Sequence, residues 1–285
     1  MGRDNDDYKH HPLSVASASV VRSRNANLLS WYASNKRDLP WRRTTDPFKV
    51  LVSEVMLQQT QVSRAIDRFE AFVDRWPTVD DLAAATNEEV LSEWSGLGYN
   101  SRALRLRDAA IQLSSSGWPT EPADLRTLPG IGPYTANAIA SICFGAQIPA
   151  VDTNLRRILS RWAGRPLTGS DLEQFASSVV GAPAGDWNQA LMDLGSTLCL
   201  AQEPLCDQCP VEDSCADPSV YVRAPRQSRF EGSTRQLRGA LVRADLAGVD
   251  LIEVGTRLGR SPEEIDRTIG SLAEEGLIRS RKSAR

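Results

Sequence analysis

Between residues 26 and about 216, apolar residues recur three and four apart almost without interruption, and no stretch alternates convincingly between apolar and polar. That spacing lines one face of a helix, so a sheet-based core is excluded and an all-α fold is expected. Breaks containing Gly and Pro, such as RWPTVDD, SGLGYN and SGWPTEPAD, cut the pattern into separate helices. Residues 1–25 are polar, Ser-rich and aperiodic, and read as a disordered tail. The helical core spans 26–218. A polar linker containing Pro and Arg follows over 219–233, then a separate module over 234–285. In that module, helices near 234–246, 250–258 and 262–275, followed by GLIRSRK, suit a small winged-helix-like unit: a helix-turn-helix with a rudimentary wing.

Four of the five cysteines, Cys199, Cys206, Cys209 and Cys215, fall within CLAQEPLCDQCPVEDSC. A chain of 285 residues can bury a sizeable core without covalent staples. The opening MGRDNDDYKHH has no apolar stretch behind a basic start, and nowhere is an apolar run long enough to span a membrane. A cytoplasmic protein with reduced thiols is therefore expected, where clustered cysteines usually bind metal. Zinc and an iron–sulfur cluster both accept four thiolates. The lone CxxC pair, Cys206 and Cys209, suits a compact loop around one cluster better than a two-knuckle zinc ribbon, but spacing leaves both open. Cys143, in TANAIASICFGA, reads as a small core residue on the apolar side of a helix.

A net charge of −3 rules out a strongly basic nucleic-acid coat, though not a local basic face. Charge is uneven, with thirteen Lys and Arg against nine Asp and Glu from residue 219 onward. His10 and His11 are the only histidines and lie in the polar tail, so chemistry falls to acids, hydroxyls and backbone. In LRTLPGIGPYTANAIASICF, Gly130 and Gly132 permit a tight turn with outward N–H groups, and Pro133 suits the first position of the next helix. Free amides beside a helix N-terminus make an anion site able to take a DNA phosphate. The plain alternative is an ordinary turn between helices.

The hairpin, the VDTN that follows it and the four-cysteine loop resemble the helix–hairpin–helix DNA glycosylase superfamily. Within it, LPWRRTTDPFKVLVSEVMLQQTQV (39–62) and WSGLGYNSRA (94–103) resemble the MutY-type adenine DNA glycosylases. The resemblance covers roughly residues 26–216. It implies a six-helix barrel over about 39–147 and a cluster domain from 26–38 and 148–218, with DNA bound in the cleft between. It also implies a structural 4Fe–4S cluster on Cys199, Cys206, Cys209 and Cys215. The implied partner is double-stranded DNA carrying a mismatch or an oxidised guanine, bound by a monomer that is nucleoid-associated when engaged.

Excision of a base proceeds through a cation-like sugar and needs an acid for the leaving group and an anion for the sugar. Glu54 lies on a helix expected over 49–66, with Val50 and Leu51 one turn before it and Leu57 one turn after. A carboxyl desolvated on that stripe gains the raised pKa of a general acid; the plain alternative is a solvated surface Glu. By resemblance Glu54 protonates the departing adenine. Asp152 opens the helix TNLRRILSRW at its N-cap, a position worth about 1 kcal/mol as a cap alone. The helix terminus there is expected to favour the ionised form. By resemblance Asp152 stabilises the anomeric carbon, with Asn154 and Tyr134 holding carboxylate and sugar. In endonuclease III-like relatives a lysine replaces Tyr134 and cleaves the strand through a Schiff base; a phenol cannot form one, so a monofunctional enzyme is implied. Trp41 and Arg42 would flank the extruded adenine, and Gln59 and Thr60 would probe the gap and the opposing base. Arg37, Tyr99, Asn100, Gly130 and Gly132 complete the DNA-contact set.

Two departures from the family stand out. GLGYN replaces the usual GLGYY, giving Asn100 where an aromatic wedge normally stands. Where the family usually carries a larger C-terminal domain with a Phe-Ser-His loop, about fifty residues without a histidine stand here. Two other functions compete. One is a thymine or uracil mismatch glycosylase, which shares Tyr134 but not the motif around Glu54. The other is a non-enzymatic iron–sulfur regulator, which would have no need of both carboxylates.

Overall fold

The computed structural model describes residues 17–222 and 229–279. In chain order its helices are α1 (Ala18–Asn35), α2 (Pro47–Leu57), α3 (Val62–Arg75), α4 (Val79–Ala84), α5 (Asn87–Glu93), α6 (Ser101–Ser116) and α7 (Pro122–Leu125). They continue with α8 (Pro133–Cys143), α9 (Thr153–Trp162), α10 (Gly169–Val179), α11 (Ala184–Thr197), α12 (Thr234–Leu246), α13 (Leu251–Arg257) and α14 (Pro262–Glu274). Among the described residues there is no strand, and no helix is long and apolar enough to cross a membrane. The all-α expectation holds. The wing beyond α14 forms no strand up to Arg279; the rest of it, the first sixteen residues of the tail and residues 223–228 of the linker lie outside the described residues.

One correction falls at the start. The chain is helical from Ala18, inside the stretch expected to be a disordered tail, and Ser17 caps it by accepting from the Val20 N–H. The buried stripe of α1 is Arg24, Leu28 and Tyr32, one residue per turn. A guanidinium stands where an apolar residue would have revealed the period. It lies over the Trp162 ring at 4.0 Å.

Residues 17–38 and 133–222 form one compact unit, and residues 39–132 and 229–279 form another. In the first, α1, α9, α10 and α11 enclose Leu28, Leu155, Ile158, Phe175, Trp187, Leu191 and Leu194. Each such side chain contributes about 1.5–3 kcal/mol on leaving water. The α9–α11 contact is close because residue 195 is glycine: a Cβ there would stand 2.8 Å from the Asn154 Cβ. α8 packs on α11, so the chain changes units at Gly132–Pro133 rather than near residue 147.

In the second unit α2 packs on α3, α4 on α6 and α12 on α5. Thr78 and Thr86 open α4 and α5 with reciprocal capping boxes, to Asp81 and Glu89. The helix expected over 49–66 is in fact two. α2 ends at Leu57, and Gln59 takes a left-handed φ of +58° before α3 begins. The break is held by buried Arg102. Its guanidinium donates to the carbonyls of Val55 (2.6 Å), Met56 (3.2 Å) and Gln58 (2.6 Å) at the end of α2. It also donates to the carbonyls of Leu97 (3.3 Å) and Gly98 (3.1 Å) and to the Thr60 hydroxyl (3.2 Å). One cation thus satisfies the open end of a helix and ties the 58–61 turn to the 96–100 loop. Burial lowers its pKa to about 10, which leaves it charged at neutral pH.

Arg102→Met fills the space but strands several buried carbonyls, at about 1–3 kcal/mol each. Urea denaturation should show a loss of about 3 kcal/mol or more; a loss below about 1 kcal/mol would mean that water replaces the guanidinium.

Candidate active site

In the first unit, Asp152 caps α9 as the sequence suggests. Its Oδ1 accepts from the Leu155 N–H at 2.7 Å and its Oδ2 from Asn154 Nδ2 at 3.1 Å. The helix terminus favours the ionised form as expected, but burial acts against it. Burial pushes the Asp152 pKa upward, and the Leu155 and Asn154 donors only partly offset this. A short helix end does not replace the water that the surrounding protein removes. Tyr134, in the first turn of α8, is half-buried, and its hydroxyl lies 3.7 Å from the Met192 sulfur. Arg37 is already engaged: its Nε donates to Asp193 Oδ1 at 2.6 Å and its backbone N–H to Oδ2 at 3.1 Å. Asp193 is fully buried, so this pair anchors the end of α1 to α11.

The hairpin forms as expected. Gly130 has φ +78°, and a Cβ there would press on the Arg105 Cβ at 3.0 Å, so both conformation and space require glycine. Gly132 is exposed, with open space where a Cβ would stand, and α8 starts at Pro133.

In the second unit, Glu54 is buried on α2, not solvated at the surface. Trp41 is also buried, its ring edge-on to Phe69 at 5.4 Å, in a short 3-10 turn that includes half-buried Arg42. Gln59, Thr60, Tyr99 and Asn100 line one cavity of about 580 Å³. Tyr99 has φ +47° and is 38% exposed. Asn100 stands at the N-cap of α6 without making a side-chain cap.

The four clustered cysteines line a second cavity, of about 230 Å³. Among the described residues no three Cys, His, Asp or Glu side chains are gathered as one metal ion would require. A multi-iron cluster spreads its thiolates more widely than a single ion does. The surroundings favour a group of negative charge. Arg161, 2% exposed, donates to Cys199 Sγ at 3.0 Å and to the Leu200 carbonyl at 2.8 Å. Arg24, 1% exposed, reaches the Ser214 carbonyl at 3.5 Å, while its Nε and Nη2 have no hydrogen-bond partner. Burial and the neighbouring thiols push Cys215 up to about 11. Two buried arginines beside the four thiols call for a negative charge to balance them. The fifth cysteine, Cys143, ends α8 and is half-buried.

Sequence reasoning missed the arginines. Arg157 and Arg161 stand four apart among the apolar residues of α9, and Arg102 follows directly on GLGYNS. Basic residues on a helix's apolar face were the available signal.

Residues 52–179 match the model of the HhH-GPD superfamily base excision DNA repair proteins. The chain is 40% identical over 267 residues to the adenine DNA glycosylase of Mycolicibacterium smegmatis, covering 88% of this chain and 91% of that one. It is 44% identical over 220 residues to the human adenine DNA glycosylase, covering 70% of this chain but 40% of that protein. A solved thermostable thymine-DNA glycosylase superposes with a TM-score of 0.66 at 25% identity, over 71% of this chain and 98% of that one. The match along nearly the whole length of the mycobacterial relative, together with the hairpin and the capped aspartate, decides the family: the chain belongs to the adenine DNA glycosylases of base excision repair, within the HhH-GPD superfamily.

Proposed function

We propose that this adenine DNA glycosylase is monofunctional and removes adenine mispaired with 8-oxoguanine or guanine in double-stranded DNA. It would act as a monomer in the cytoplasm, on the nucleoid. The observation that carries this reading is the state of Asp152, a desolvated carboxylate held by two donors at a helix N-terminus. Such a group is oriented before substrate arrives and gains most when a positive sugar forms beside it. Glu54, buried on the apolar stripe of α2, is the proposed acid. It gives its proton to the imidazole ring of adenine. The C1′–N9 bond then breaks with its electron pair passing to the base, and Asp152 stabilises the resulting cation at C1′. Water adds to C1′ and loses a proton, leaving free adenine and an abasic strand. Asn154 and Tyr134 position carboxylate and sugar. Gly130 and Gly132 offer amides to a phosphate, and Arg37, Trp41, Arg42, Gln59, Thr60, Tyr99 and Asn100 are the proposed contacts to base and strand. Arg37 contributes what Asp193 leaves of its guanidinium, and Trp41 the edge not covered by Phe69.

Cys199, Cys206, Cys209 and Cys215 would hold a 4Fe–4S cluster. When bound, it supplies a rigid, negatively charged centre that balances Arg24 and Arg161. Anaerobically purified protein should carry about four irons per chain, as four-thiolate ligation of such a cluster requires. Stoichiometric zinc without iron would refute this.

The sign of the Asp152 shift gives a paired test. The carboxylate works ionised, so base release should fall as pH drops through its raised pKa, above the ordinary value of about 4. Because that pKa is raised on folding, the stability linked to it is greatest when Asp152 is protonated. It is lost as pH rises through the folded value. Asp152→Asn keeps the cap oxygen and removes the buried charge. Its melting temperature at neutral pH should equal or exceed that of the wild type, with DNA binding retained and base release reduced about 100-fold or more. A drop in stability and binding in step with activity would reduce Asp152 to a cap.

Product type tests Tyr134. The wild type should leave an intact strand, cut only by alkali or heat, with little complex trapped by borohydride. Efficient strand cleavage with a trappable adduct would mean that a lysine does the chemistry.

A further inference from the structure

The C-terminal module has the helix order of a helix-turn-helix, in which the last helix usually reads DNA. The charges argue against that here. The last helix, α14, exposes Glu263, Asp266 and Glu274 with Arg267 as its only basic residue, a surface that repels phosphates. The first helix, α12, carries Arg235, Arg238 and Arg243. All three line the 580 Å³ cavity shared with Gln59 and Tyr99, where Arg64 of α3 joins them; no Asp or Glu is among the lining residues. Arg238 is paired with Glu275 at 2.6 Å, beside the cavity. The Arg235 guanidinium lies 5.9 Å from the Tyr99 ring centroid and donates to the Tyr99 hydroxyl at 3.0 Å. Tyr99 is thereby held between Arg235 and Arg102, whose guanidinium is 5.6 Å from the same ring.

A second observation marks the cavity. Among the described residues, Gln59 and Tyr99 are the non-glycine residues with positive φ, and both stand on its wall. Strained backbone, supported here by the Arg102 bonds to the Gln58 and Gly98 carbonyls, clusters at ligand sites. Among the arginines the wall carries two exposed rings, Tyr99 at 38% and Phe230 at 56% exposed. Cations interleaved with exposed rings fit a nucleic-acid strand, with phosphates on the guanidinium groups and an unstacked base on a ring.

We infer that α12, not the helix-turn-helix, is the DNA-binding element of the module, and that with the Gln59 and Tyr99 loops it forms a subsite for the strand opposite the extruded adenine. This rests on the glycosylase reading, yet it can fail separately. The module is fixed for the task, since Leu237, Leu241, Leu272 and Leu277 are buried and α12 packs on α5.

The test is the salt dependence of the dissociation constant for the full chain, measured by fluorescence anisotropy on a duplex with adenine opposite 8-oxoguanine. Each phosphate contact contributes about 0.9 to the slope of log Kd against log salt. Arg235→Ala with Arg243→Ala should reduce that slope by about 2 and weaken binding about tenfold or more at moderate salt. Arg243→Glu, on the exposed face of α12, repeats the test without touching Tyr99 and should act in the same direction. Arg257→Ala, on α13 outside the cavity, should leave the slope unchanged. Unchanged slopes in the α12 variants, or an equal change with Arg257→Ala, would overturn the inference. If the slopes behave as expected but the wild type releases no adenine from the same duplex, the subsite stands and the function reading falls.

Discussion

Much of the geometry proposed to meet DNA depends on one buried cation. The Arg102 guanidinium closes the C-terminus of α2, fixes the turn carrying Gln59 and Thr60, and supports the loop carrying Tyr99. Without it, the carbonyls of Val55, Met56 and Gln58 would lose this donor, and the strained turn and loop would lose their support. The cation also lies near the Trp94 ring, 5.3 Å from its centroid, so its desolvation is partly offset by the aromatic face as well as by the carbonyls. Two loops distant in sequence thus share one support, and what strains one strains the other.

The first unit solves a comparable problem with the charges reversed. There the buried charge is the Asp152 carboxylate, and α9 places it, while the missing Cβ of Gly195 lets α11 close on Asn154 beside it. At the other end of α9, Arg161 binds the cysteine loop to the helix. One ten-residue helix therefore joins the proposed catalytic anion to the cysteine centre. A disturbance of the cysteine loop reaches Asp152 through a rigid element rather than through loops.

The all-α class and the capped aspartate were legible because each follows from local patterns: a 3.6-residue period, and an acid before a helix. The Gly130 turn was legible for the same reason. What was not legible has a common physical cause. Arg24 hid the start of α1 because a buried arginine reads as surface, and Arg102 hid the end of α2 because its partners there lie more than forty residues away in sequence. The raised pKa of Asp152 was missed because a helix terminus is visible in sequence and desolvation is not. The role inferred for α12 also runs against the order of helices, which points to α14; only the facing charges and the cavity distinguish them.

The most direct test is base release under single-turnover conditions from four matched duplexes: adenine opposite 8-oxoguanine, adenine opposite guanine, and thymine or uracil opposite guanine. The account predicts free adenine from the first two, faster opposite 8-oxoguanine, with thymine and uracil retained. Release of thymine or uracil with adenine left in place would contradict it.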